Sequence, residues 1–258
     1  MNNPSPNGRE HPLHGTAAIV TGGAKGIGAA IVRRLAGAGA SVGIVDLDPA
    51  AAEALADEVT GAFAVVADVA DYTSLGQAVD AACRRMNGLD VLVNNAGWDH
   101  VRRFVDTDPR LWDTLIGINL RGVLNATHLA IPRLIERGGG RIVNVASDAG
   151  RVGSSGEAVY AACKGGTIAF TKSIARETAR HHITVNCVCP GPTDTPLLKE
   201  IKQDERAAST MDAIVRATPN HRLARPEEVA EAVAFFSTVP EHITGQTLSV
   251  SGGLTMAG

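Results

Sequence analysis

No excess of either charge marks this sequence: 24 Lys and Arg stand against 27 Asp and Glu, a formal net charge of −3. That balance excludes the basic footprint of a nucleic-acid binder or of a protein held on an anionic membrane. Four cysteines (Cys83, Cys163, Cys187, Cys189) form no C-x-x-C pair and no dense framework, so they are expected as small buried hydrophobes in a reducing compartment. No uncharged apolar run reaches the ~18 residues of a spanning helix. The opening stretch is polar and proline-bearing with no apolar signal segment, so residues 1–13 are expected as a loose tail to a cytoplasmic protein. Repeats and low-complexity blocks are missing as well. Aromatics are few, five Phe, two Tyr and two Trp, which makes each one conspicuous.

Glycine is present in excess, 28 of 258 residues, against the ~7% of average usage. In a chain that is 45% hydrophobic, this points to tight turns or to backbone approached closely by something else. Short β-branched runs at 17–21, 41–46, 63–68, 91–94, 141–146, 184–189 and 247–250 alternate with segments of helical spacing. Near-continuous apolarity suits strands covered on both faces, and the alternation predicts one domain over 14–258: an α/β fold with a doubly wound parallel sheet of about seven strands and helices on both faces. A long helix is predicted over 108–137, opened by Asp108-Pro109 and closed by Gly138-Gly139-Gly140. A second is predicted over 157–181, with Ser154 and Glu157 at capping-box spacing. Residues 192–219 read as a helical flap.

The turn Thr21-Gly22-Gly23-Ala24-Lys25-Gly26-Ile27-Gly28 follows the first strand and runs into an Ala-rich helix. Glycines there let backbone approach a pyrophosphate, and the helix N-terminus offers N–H groups and a positive dipole end. Gly22, Lys25, Gly26, Ile27 and Gly28 are therefore candidate dinucleotide contacts. Asp46 ends the second strand 18 residues after Gly28, where its carboxylate can accept from both adenosine-ribose hydroxyls. A 2′-phosphate beside it would meet repulsion of ~1–4 kcal/mol at ~4 Å, favouring NAD over NADP. Lys25 is the opposing signal, a cation able to pair with such a phosphate.

Tyr160 and Lys164 are i and i+4, on one helix face, ~6 Å apart along the axis. An ammonium that close lowers a phenol pKa from ~10 toward neutrality, as acid–base chemistry needs. Ser147 stands at the carboxyl edge of the fifth strand, where such folds bind ligands. Asn119 sits inside a helix, where Asn is disfavoured unless its side chain has a partner. The spacing shows no metal-ligand set; His181-His182 read as the end of a helix.

The turn TGGAKGIG, Asn94-Asn95-Ala96-Gly97, Ser147 with Tyr160-Ala161-Ala162-Cys163-Lys164, and Pro190-Gly191, in that order, resemble the short-chain dehydrogenases/reductases over roughly 14–258. The resemblance implies a Rossmann fold and hydride transfer between NAD and a secondary alcohol or ketone. It implies Tyr160 as acid–base, Lys164 as its partner and ribose ligand, Ser147 as the orienting hydroxyl, and Asn119 as keeper of a proton relay. It also implies that Asp68 and Val69 hold adenine, that Asn95 and Gly97 line the adenosine-ribose side, and that Pro190, Gly191, Thr193 and Thr195 bracket nicotinamide. The helices 108–137 and 157–181 pair across subunits in the family, so a homotetramer is expected. The stretches 94–99, 147–166, 188–195 and 244–256 are similar to a branch that oxidises a ring alcohol on a CoA thioester. Trp98, Asp148 and Arg151 are the candidate substrate contacts beside Ser147. A 3-oxoacyl-carrier or general ring-ketone reductase is the alternative reading, and a non-catalytic dinucleotide sensor the remote one.

Overall fold

The computed structural model describes residues 12–256. Seven parallel strands form one sheet in the order β3-β2-β1-β4-β5-β6-β7. They are β1 (Ala17–Thr21), β2 (Ser41–Asp46), β3 (Ala62–Val66), β4 (Val91–Asn94), β5 (Gly140–Val145), β6 (Ile183–Pro190) and β7 (Thr247–Val250). β1, β4 and β6 are buried along their whole length, as their unbroken apolar runs require. The order reverses between β1 and β4, and the carboxyl ends on either side of that reversal open a crevice.

Helices α1 (Gly26–Gly37), α2 (Pro49–Glu58) and α10 (Pro226–Phe236) contribute to one apolar core, with Ile31, Val32, Leu35, Val229 and Val233. Helices α3 (Tyr72–Met86), α5 (Gly122–Glu136) and α7 (Ala158–Thr178) contribute to another, with Leu75, Val79, Ala126, Leu134 and Ala175. Each fully buried Val, Leu or Ile adds ~1.5–3 kcal/mol of transfer free energy, so each helix is pinned by a few such residues. Local signals set the starts: Asp48 accepts from the Ala51 N–H ahead of α2, and Asp71 from Thr73 and Ser74 ahead of α3.

Three expectations are corrected. The third strand stops at Val66, which leaves Asp68 in the following loop, where its carboxylate accepts from the Ala70 N–H. The helix expected over 108–137 is α4 (Pro109–Ile116) and α5 joined by a π-helical turn, Gly117–Arg121. The Ser154/Glu157 capping box does not form: Gly156 turns at φ +86°, Glu157 is itself the first cap of α7, and it makes no side-chain cap bond. The remaining α-helices are a single turn α6 (Ala149–Val152), then α8 (Pro196–Ile201) and α9 (Glu205–Ala217), which supply the helical flap.

Of the expected tail, residues 1–11 lie outside the described residues. Leu13 belongs to the body of the protein, buried in the first core with its N–H donating to the Ala38 carbonyl at 2.9 Å. Its apolar side chain finds a slot that its polar neighbours in the sequence do not advertise. No helix among the described residues is long and apolar enough to cross a membrane.

Candidate active site

A cavity of about 1410 Å³ runs across the carboxyl ends of the strands. All sixteen expected cofactor contacts line it: Gly22, Lys25, Gly26, Ile27, Gly28, Asp46, Asp68, Val69, Asn95, Gly97, Tyr160, Lys164, Pro190, Gly191, Thr193 and Thr195. Ser147, Trp98 and Asp148 line it too, whereas Asn119 and Arg151 do not.

At one end the glycine turn is shaped for backbone contact. Gly22 takes φ +60°, and a methyl group there would stand 2.6 Å from Ala96 Cα. Thr21 and Asn95 lock the turn: Asn95 Nδ2 donates to the carbonyls of Thr21 (3.1 Å) and Gly22 (2.8 Å), so its amide acts by clamping the glycine turn. α1 begins without a side-chain cap and with no acid in its first turn, which leaves its N-terminus suited to an anion. These features fit a dinucleotide pyrophosphate.

Asp46 accepts from the Ala24 N–H at 2.9 Å and from Asp48 N–H at 3.1 Å, which fixes its carboxylate at the rim of the groove with lone pairs to spare. Lys25 is bound elsewhere: its ammonium lies 2.6 Å from the Asp48 carboxylate. The opposing signal for NADP is thus paired with an acid that the sequence analysis did not single out.

At the other end a buried polar ladder aligns the catalytic elements. Asn94 Nδ2 donates to Asn144 Oδ1 (2.8 Å) and Thr127 Oγ1 (3.0 Å), and Asn144 Nδ2 donates to Thr171 Oγ1 (2.8 Å). It ties β4 and β5 to α5 and α7. Lys164, buried, donates from Nζ to the Val145 carbonyl at 3.1 Å and lies 5.6 Å from the Tyr160 ring centre. Ser147 hydrogen-bonds the Tyr160 hydroxyl, and its Oγ accepts from the Ala149 N–H at 3.1 Å. Tyr160, Lys164 and Ser147 therefore come together, the first two as their i, i+4 spacing implied and Ser147 as its place at the end of the fifth strand implied.

Gly97 sits beside Asn119 and Lys164, since a methyl there would stand 3.1 Å from Asn119 Oδ1 and 3.3 Å from Lys164 Nζ. That is the β4–β5 side of the reversal, away from the adenosine side marked by Asp46 and Asp68. Asn119 is fully buried in the π-helical turn, and its amide braces the loop after β4. Nδ2 donates to the carbonyls of Trp98 (2.7 Å) and Leu115 (3.0 Å), while Oδ1 accepts from the Trp98 N–H (3.2 Å).

The electrostatics depart from expectation. Burial, then the carboxyl groups of Asp99 and Glu157, push the Tyr160 phenol above its ordinary value, against a smaller downward pull from the Ser147 bond. Burial likewise draws Lys164 down to about 8. The lysine alone does not bring the phenol toward neutrality. Neither Asp99 nor Glu157 was expected in the site, Glu157 having been read only as a capping-box residue; the one available signal was Asp99 directly after Trp98.

Two expected substrate contacts, Arg151 and Asp148, also bind β7. Arg151 Nη1 donates to Ser249 Oγ at 2.9 Å, and Ser249 Oγ donates to Asp148 Oδ1 at 2.5 Å. Both residues fasten the Ser147 loop to β7, a strand that sequence distance gave no reason to place there. Trp98 keeps its position on the cavity wall, with its ring stacked on His100 at 5.9 Å between centres.

Comparison with known proteins agrees with this geometry. Residues 22–255 match a family model described as enoyl-(acyl carrier protein) reductase. Nodulation protein G of Azospirillum brasilense is 37% identical over 243 residues, covering 92% of this chain and 97% of the relative. The structure of 3-ketoacyl-(acyl-carrier-protein) reductase from Brucella melitensis complexed with NADH is 35% identical with a TM-score of 0.87, covering 95% of this chain and 100% of that one. A variant of actinorhodin polyketide ketoreductase with NADPH is similar at 35% identity and TM-score 0.87, covering 93% of this chain and 97% of that one. The chain belongs to the short-chain dehydrogenase/reductase family and is an oxidoreductase of that family.

Proposed function

We propose that this enzyme transfers hydride between NAD and a ring-borne secondary alcohol or ketone carried as an acyl thioester, with 2-hydroxycyclohexane-1-carboxyl-CoA the candidate substrate. The observation that carries the hydride-transfer reading is the triad of Ser147, Tyr160 and Lys164 at one end of a groove whose other end has the glycine turn and Asp46. The substrate assignment is supported by the sequence likeness around the site and by Trp98, an apolar wall suited to a ring. NAD is favoured by Asp46 together with the pairing of Lys25 to Asp48, which leaves the adenosine end acidic. We assign the cytoplasm as its compartment, supported by four unpaired, buried cysteines. A homotetramer through α4–α5 and α7 is supported by the exposed Ile116, Leu124 and Ile135.

The glycine turn and the N-terminus of α1 would hold the pyrophosphate, Asp46 the adenosine ribose, and Lys164 with Tyr160 the nicotinamide ribose. When bound, NAD supplies the hydride acceptor. Ser147 orients the substrate oxygen, and Tyr160 takes the hydroxyl proton in oxidation or gives it to the ketone oxygen in reduction. With its phenol held above the ordinary range, Tyr160 stands protonated and ready as the acid of the reductive direction; oxidation requires it to be ionised and gains from rising pH.

The test is a panel of ring alcohols, free acids and acyl-CoA thioesters followed by nicotinamide absorbance with NAD and then NADP. Turnover of the ring thioester with at least a tenfold preference for NAD is expected, and a tenfold preference for NADPH overturns the cofactor assignment. Tyr160→Phe removes the acid–base group and is expected to lower kcat by at least ~10²-fold while NADH titration still shows binding; unchanged turnover refutes the mechanism. The second reading, 3-oxoacyl-carrier reduction, is favoured by the Brucella structure named above and predicts that linear 3-oxoacyl thioesters outcompete ring substrates.

A further inference from the structure

The carboxyl pair beside Tyr160 has no part in the proton and hydride steps above. Asp99, only 5% exposed, follows Trp98 in the loop after β4, and its carboxyl hydrogen-bonds that of Glu157, the residue ahead of α7. Two carboxyl groups can bond each other only by holding a proton between them, which leaves one negative charge on the pair. Both residues line the cavity, and Asp99 Oδ1 is buried without a hydrogen-bond partner. A buried acceptor left unpaired costs ~1–3 kcal/mol, so this oxygen is poised to gain from a donor brought into the cavity. Tyr160 and Lys164, both on α7, are the other titratable groups that act on the pair, and the backbone N–H of His100 donates to the Asp99 carboxyl.

We propose that Asp99 and Glu157 form a substrate-selectivity element: they admit a neutral substituent next to the reacting carbon, favour one that carries an N–H or O–H donor, and refuse a free carboxylate. A pocket wall with a negative charge repels a second one brought within a few ångströms, and burial of Asp99 strengthens that repulsion beyond what Lys164 offsets. A hydroxy acid would thus enter only when its acid is masked, as an amide or thioester. The inference rests on the catalytic site proposed above for its location, but its test does not depend on turnover.

Trp98, next to Asp99 in the chain, supplies the probe. In a Trp112→Phe background it is the sole tryptophan, and its fluorescence can be titrated with cyclohexanecarboxamide, methyl cyclohexanecarboxylate and cyclohexanecarboxylate at pH 7. The amide is expected to bind more tightly than the ester, and the ester at least about tenfold more tightly than the carboxylate. Asp99→Asn keeps the charge on Glu157 and is expected to retain the discrimination against carboxylate. The double variant Asp99→Asn/Glu157→Gln removes the charge and is expected to bring ester and carboxylate within about twofold. Should the double variant not fold, Glu157→Gln alone, read at pH 6, is expected to move the ratio in the same direction. Equal affinities in the unaltered pocket, binding of no probe, or a gap that survives neutralisation overturns the inference. Turnover of a ring thioester alongside any of those results would leave the enzymatic reading intact and remove only this one.

Discussion

A methyl group on Gly28 would stand 2.0 Å from the Gly22 carbonyl oxygen and 2.7 Å from Asn95 Nδ2. Backbone cannot yield as a flexible side chain does, so Gly28→Ala has to open the turn that the Asn95 amide holds shut. Overpacking of this kind costs ~1–3 kcal/mol. The expected outcome is an NADH affinity reduced at least about tenfold, with a lower Tm, read by fluorescence titration and thermal unfolding. Gly28 was legible in the sequence because strand, glycine turn and helix are contiguous. Asp99 was not, because its neighbour Glu157 lies far along the chain and its burial depends on both loops closing over it. Lys25 was legible as a cation but not as a neutralised one, since Asp48 has an obvious local task as the cap of α2.

α6 and α7 touch through glycine backbone, which fixes Ser147 against Tyr160. A Cβ at Gly150 would lie 2.6 Å from both the Gly165 nitrogen and the Lys164 carbonyl carbon. Gly150→Val is expected to push the Ser147 loop off α7 and lower kcat at least about tenfold, with NADH affinity within twofold of the parent. Steady-state kinetics with a direct binding titration separates the two, since misplacing a reacting group by ~1 Å costs about 10²-fold in rate. Strands were readable almost to the residue because a doubly covered sheet demands unbroken apolar runs. The π-helical turn at Gly117–Arg121 was not, because Leu111, Leu115 and Ile118 lie before it or at its start, so their apolar spacing does not register the extra residue. The capping box failed for a different reason: the turn at Gly156 delays the start of α7, so Glu157 becomes its first cap rather than the third residue of a helix opened at Ser154.

Two buried charges set how stability responds to pH. Asp99 keeps its proton up to about 8 in the folded chain against 3.8 ordinarily, so between those values the folded state holds more protons than the unfolded one. Stability therefore falls as pH rises through that window. Lys164 gives up its proton at about 8 against 10.5 ordinarily, so its burial penalty is relieved, and stability rises, as pH climbs from 8 to 10.5. Differential scanning calorimetry across pH 4–10 is expected to give the parent a descending limb that Asp99→Asn lacks, with the gap between the two curves widening as pH rises from 4 to 8. Parallel curves would show that Asp99 ionises normally. Neither limb can be read from net charge, because both depend on burial rather than on the balance of acids and bases.

The bond from Ser249 to Asp148 spans 101 residues. A ribosome making this protein completes the glycine turn and β1–β4 long before residue 249 emerges, so the nucleotide end has its strands in hand early. The Ser147 loop has nothing on β7 to fasten to until the last strand docks at the sheet edge. Contacts of such separation form late and slowly. Synthesis thus passes through a stage in which the groove for a dinucleotide is built while the means of using it is still unsecured.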